Sequence, residues 1–115
     1  MKNTLKEMTI AEAMEVAEMF QQPRSYAGTI HPFEIGQVYL IRTVTMIDTG
    51  RVVKVMPNEI VLTEAAWIAD TGRFSDALKK AEFGEVEPFP DGEVIIGRGS
   101  IVDAVKIERA PRSQK

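Results

Sequence analysis

The sequence predicts a mainly β protein of the α+β class: one domain with an N-terminal helix, and a helical insertion between its third and fourth strands. Three observations point there. A long stretch, 37–66, is dominated by branched and aromatic residues and broken twice by turn-forming ones. Two further β-rich segments near the end are joined by Gly97-Arg98-Gly99-Ser100. Helical periodicity is confined to two other stretches, 10–22 and 75–83. At 115 residues the chain fits a single domain, and 44% hydrophobic with 27% charged residues is the composition of a chain that buries a core.

The first helix places Ile10, Ala13, Met14 and Ala17 on one face, with Glu12, Glu15 and Glu18 turned elsewhere. Thr9 followed by Glu12 is a capping-box pattern, and Pro23 ends the run. Residues 1–35 therefore read as helix plus linker. That linker holds the only histidine, His31, which has no second histidine or cysteine to share a metal.

The β stretch reads as three strands, 38–47, 51–56 and 59–63, with breaks at Asp48-Thr49-Gly50 and at Pro57-Asn58. Each break is short enough for an antiparallel hairpin. In this reading Asp48 opens a turn, Gly50 takes a positive φ and Arg51 starts the next strand. Arg42, set among Leu40, Ile41, Val44 and Met46, is expected to pair with Glu64 or Asp103. After Trp67 comes the insertion, 67–92, containing a short helix at 75–83 with Ser75 as its cap and Gly84 just past its end. Strands at 93–96 and 101–107 follow, and the tail 109–115 is expected to fray.

Composition removes several kinds of function. Without cysteine there is no disulfide, thiolate nucleophile or sulfur-ligated metal. No apolar run is long enough to cross a bilayer, so a soluble protein of the cytoplasm, with no membrane partner, is expected. A net charge of −3 gives no overall basic footprint for long polyanions. A local arginine site for one or two phosphates stays open, because pairing geometry decides there.

Asp-Thr-Gly-Arg occurs twice, at Asp48-Thr49-Gly50-Arg51 and at Asp70-Thr71-Gly72-Arg73. The second copy follows Trp67 and precedes a helical stretch. Its backbone N–H groups can converge on a phosphate with Arg73 as a clamp, and Trp67 can offer a stacking face. The alternative is that Trp67 anchors the core and Asp70 or Thr71 caps the helix. There is no nucleophile with an adjacent base, no metal cluster and no Walker-type phosphate loop, so no catalytic residue and no cofactor is assigned.

A helix, three meandering strands, an insertion and a closing pair of strands resemble the order of the Sm-like small barrel. Val53-Lys54-Val55 through Ile60-Val61-Leu62 resembles the first Sm motif, and Ile96-Gly97-Arg98-Gly99-Ser100-Ile101 the hydrophobic-Arg-Gly turn of the second. The resemblance covers 37–107 and implies a five-stranded antiparallel barrel over 36–108, assembled as a homo-oligomer. It also implies nucleotide-contacting residues in the turns after the second and fourth strands, at Asn58 and Arg98. Residues 36–73 and 87–99 further resemble a group of small, uncharacterised proteins of tailed bacteriophages. By analogy of size and source, that likeness suggests a sponge that sequesters a nucleotide immune signal without cleaving it.

The expected ligand site is thus Trp67, Asp70, Thr71 and Arg73, joined by Arg98 across a subunit boundary, with a small phosphate-containing ligand. An RNA-binding ring through Asn58 and Arg98 is one alternative. Another is a retroviral-type aspartic protease, which Ile68-Ala69-Asp70-Thr71-Gly72 and the later Ile-Gly-Arg segment resemble. The stretch 74–93 leaves no room for that enzyme's flap.

Overall fold

Six strands form the sheet, every pair antiparallel, and five of them fall on the branched and aromatic runs. The structure, a computed structural model, describes residues 29–115; the helix expected at 10–22 lies outside them. Within the compact unit Pro32–Lys115 the order is β1 (Val38–Thr43), β2 (Ile47–Val55), β3 (Glu59–Asp70), α1 (Phe74–Lys80), β4 (Glu85–Pro88), β5 (Val94–Gly97), a 3-10 turn (Arg98–Ser100) and β6 (Ile101–Lys106). Spatially the strands run β4-β3-β2-β1-β6, with β5 also on β3. The sheet thus has six strands rather than five, the extra one being β4 inside the insertion. It is not a closed barrel: among the described residues no pairing joins β6 to β4 or β5.

β3 serves two partners on one edge. Its start, Glu59 to Leu62, pairs with β5, and its end, Ala66 to Asp70, pairs with β4. Between them Glu64 takes a φ of 54°, a conformation that costs a non-glycine residue energy and breaks the regular pleat. Glu64 is held there by Arg51, whose Nε donates to its carboxylate at 2.6 Å while Nη1 donates to the Gly36 carbonyl at 2.7 Å. That hydrogen bond lowers the Glu64 carboxyl below its ordinary range.

Side chains alternate across the sheet and build a core on each face. Val38, Leu40, Ala66 and Ile68 meet Ala77, Ala81 and Phe83 from α1 and the segment after it. On the other face Tyr39, Ile41, Val52, Ile60 and Leu62 meet Ile96 from β5. Arg42 pairs with Asp103, one of its two expected partners, through bonds of 2.8 and 2.5 Å, and its guanidinium lies 5.4 Å from the Phe74 ring centroid.

The first Asp-Thr-Gly-Arg is not a turn. It lies inside β2, where Asp48 stands opposite Ile41 and Trp67, and Thr49 opposite Leu40 and Ala66. The β1–β2 turn falls earlier, at residues 44–46, and needs no glycine: the Thr43 hydroxyl bonds both the N–H and the carbonyl of Met46, each at 3.0 Å. Gly50 has no positive φ; the described glycines that do are Gly36, Gly72 and Gly92. A Cβ on Gly50 would come within 2.9 Å of Leu62 Cδ1, so glycine is required by close packing.

The helix is also shorter than its periodicity suggests. It starts after Arg73 with no side-chain cap from Ser75, Asp70 or Thr71, and ends at Ala81, which takes the left-handed conformation (φ 54°) expected of Gly84. The tail expected to fray is tied down instead. Lys115 and Val86 exchange two backbone hydrogen bonds, of 2.9 and 3.0 Å, and Ala110 packs against the core. The Arg112 guanidinium donates to the carbonyls of Ala65 at 2.5 Å and Phe89 at 3.0 Å. Arg112→Ala removes a charged donor from both carbonyls and is expected to cost about 1–3 kcal/mol in urea unfolding. Arg109→Ala, which loses only a surface pair with its neighbour Glu108, is expected to stay within about 0.5 kcal/mol of wild type.

Candidate functional site

The second Asp-Thr-Gly-Arg forms a locked corner between the end of β3 and α1. Asp70 Oδ1 accepts the Gly72 N–H at 2.8 Å, and the Asp70 carbonyl accepts the Gly84 N–H at 2.8 Å. The first of these is an Asx turn, in which the side chain imitates a backbone turn. Gly72 sits at φ 67°, a conformation glycine adopts freely. Gly84 has a different reason to be glycine: a Cβ there would lie 2.9 Å from Asp70 Cγ. The Thr71 hydroxyl donates to the Gly72 carbonyl at 3.0 Å. Asp70 and Thr71 therefore shape the corner, and their polar groups are largely committed to it.

Arg73 projects from this rigid base. Every other described arginine donates to an acceptor: Arg42 to Asp103, Arg51 to Glu64, Arg98 to Met56, Arg109 to Glu108 and Arg112 to Ala65. Arg73 has neither a hydrogen-bond acceptor nor a counter-ion among the described residues, and its side chain is exposed. Thr71, Arg73, Asp76, Glu82 and Lys115 line a shallow cleft of about 190 Å³ at this corner. The cleft has mixed charge, with two cations facing two carboxylates.

Trp67 is on the other face of the sheet. Ala66 and Ile68 pack under α1, so the alternation of β3 turns Trp67 away, between Asp48 on β2 and Glu87 on β4. It is 41% exposed. The four residues expected to share one site are thus divided: Asp70, Thr71 and Arg73 together, Trp67 apart.

Asn58 and Arg98 are brought together, at the opposite end of β3. The Arg98 N–H donates to the Asn58 carbonyl at 2.9 Å, and its guanidinium to Met56 O at 2.9 Å and Pro57 O at 3.4 Å. Arg98 thereby fastens the β2–β3 turn onto the 3-10 turn. It also lines a groove of about 550 Å³ with Phe33, Tyr39, Ile101 and Lys106, a size that suits a small ligand. There the Tyr39 hydroxyl accepts the Glu34 N–H at 2.9 Å, and Lys106 pairs with Glu34 at 3.1 Å.

The sequence reading overlooked Asp48 and Thr49 as buried polar groups. Asp48 is 7% exposed and Thr49 fully buried, and neither Asp48 Oδ1 nor Thr49 Oγ1 has a hydrogen-bond partner. Burial pushes the Asp48 carboxyl above the usual carboxylate range. Below that range both the folded and unfolded chains hold the proton, and Asp48 carries no charge penalty. As pH rises the unfolded chain releases its proton first, so stability falls until the raised folded-state value is passed. Asp48→Asn removes this fall. The variant is expected to melt above wild type near neutral pH, with the difference gone below about pH 4; equal melting temperatures across that range would contradict it.

Among the described residues no group of three or more histidine, aspartate or glutamate side chains is placed to hold a metal ion, and no helix is long and apolar enough to cross a membrane. The stretch 74–93 consists of α1, β4 and a loop. No protein-family model matches the chain, and neither the curated proteins nor the solved structures give a match.

Proposed function

We propose that this protein binds a small phosphate-containing ligand at the Arg73 corner and holds it without transforming it. The observation that carries the reading is Arg73 itself: a guanidinium with no acceptor among the described residues, on a corner fixed by Asp70, Gly72 and Gly84. A planar fork of donors matches phosphate oxygens in pairs, and a fixed base lowers the ordering cost of binding. Lys115, anchored through its backbone to Val86, adds a second cation at the cleft. The seven-residue α1 is too short to count as an anion site by its dipole, so the reading rests on side chains. A binder of this kind acts by lowering the free concentration of its ligand, and a nucleotide signal is the ligand class we infer.

For the fold we infer an Sm-like small barrel, opened rather than closed. Two features support this: the order β6-β1-β2-β3-β5, with β4 as an added strand on β3, and the tight 3-10 turn linking the last two strands. The same features favour a second reading, an RNA-binding ring of identical subunits. Its support is the Arg98 N–H bond to Asn58, which joins the two turns expected to face nucleotide.

A thermal-shift screen against cyclic dinucleotides, ADP-ribose isomers and short RNAs tests the first reading. A ligand present at a hundred times its Kd is expected to stabilise the fold by about 2.7 kcal/mol. A matched nucleoside lacking phosphate is expected to have no effect. Stabilisation by RNA alone, falling steeply with salt, would favour the ring.

A further inference from the structure

The Arg73 cleft adjoins a second one. Glu82, Phe83 and Lys115 line both it and a neighbouring hollow of about 300 Å³, which Arg109, Ala110, Pro111 and Ser113 also line. Taken together as one trough, the two have Arg73 on the first part alone, Arg109 on the second part alone, and Glu82 and Lys115 on both.

The charges along this trough are not uniform. On the shared lining the Glu82 carboxylate offsets Lys115, and Phe83, 3% exposed, adds an apolar surface. Asp76 lines the Arg73 part as well, but no ion pair joins it to Arg73 among the described residues. On the second part Arg109 pairs with Glu108, both groups more than half exposed, so that surface pair yields readily to a phosphate. Arg112 is committed to the Ala65 and Phe89 carbonyls and contributes little to a ligand. A contiguous polyphosphate laid in the trough would place negative charge over Glu82. Two anionic groups separated by an uncharged stretch with N–H or O–H donors would meet Arg73 and Arg109 on the two parts and give Glu82 hydrogen bonds to accept.

We infer that the ligand carries two separated phosphates, as a 5′-phosphorylated dinucleotide does, and that Arg109 is its second anchor. This rests on the reading of Arg73 as a phosphate site. Once the first phosphate is held, the second binds at high effective concentration, so the two anchors multiply affinity.

The test is isothermal titration of the full chain with a 5′-phosphorylated dinucleotide, AMP and inorganic pyrophosphate, at about 0.15 M salt to limit non-specific attraction. The dinucleotide is expected to bind at least about tenfold more tightly than AMP, the gain of one further charge-assisted contact. Pyrophosphate is expected to bind more weakly than the dinucleotide. Arg109→Ala should bring the dinucleotide to the affinity of AMP while leaving AMP unchanged. If AMP binds through Arg73 and the dinucleotide gains nothing, or Arg109→Ala has no effect, the two-phosphate inference falls and the Arg73 reading stands. If none of the three binds, both fall.

Discussion

Gly50→Val is expected to destabilise the protein by about 3 kcal/mol, the upper end of what over-packing costs. The first added atom would lie 2.9 Å from Leu62 Cδ1, 3.0 Å from Leu62 Cβ and 3.3 Å from the Thr63 carbonyl. Leu62 is fully buried between Val52, Ile60 and Ile96, so it has no free volume to move into. Gly50→Asn separates this account from a turn. Asparagine tolerates positive φ, so a turn glycine accepts it at modest cost, whereas a glycine required by packing does not. Asparagine at Gly50 is therefore expected to be at least as damaging as alanine. Gly97→Ala is the control: nothing lies within 4 Å of its added Cβ and its φ is −69°, so it should be neutral or slightly stabilising. Urea unfolding of the four variants reads all of these differences.

The two tetrapeptides show why some of this fold was legible and some was not. Strand content near Val38, Val52, Ile60 and Ile101 was plain because branched residues cluster there and tertiary pairing agrees with local preference. At Asp48-Thr49-Gly50 the two conflict. Asp and Gly are turn formers, but Thr43 closes the hairpin first and Leu62, twelve residues beyond Gly50, dictates the glycine. No local window contains that contact. β4 was missed for a related reason: Glu85-Val86-Glu87-Pro88 is short and polar, and pairs only because β3 continues to Asp70. The same continuation moves Trp67 out of the insertion and onto the face away from Arg73. At Asp70 the same tetrapeptide does turn, because β3 ends there and the Asp70 carbonyl accepts the Gly84 N–H while its side chain accepts the Gly72 N–H; identical residues take their conformation from their place in the sheet.

Arg73→Ala is expected to weaken binding of a phosphate-containing ligand roughly ten- to hundredfold, the equivalent of about 1.5–3 kcal/mol for hydrogen bonds to a charged group. Its effect on stability should be within about 0.5 kcal/mol, because the side chain is exposed and has no partner to lose among the described residues. Arg51→Ala, at the matching position of the first copy, should do the reverse. It releases Glu64 and the Gly36 carbonyl and lowers stability, with no loss of affinity, because Arg51 lies in β2 and is already bound. Calorimetric titration of the best-stabilising nucleotide into wild type, Arg73→Ala and Arg51→Ala is the most direct measurement of the central claim. The account predicts a weakened Arg73→Ala beside an unchanged Arg51→Ala; equal affinity for wild type and Arg73→Ala would contradict it.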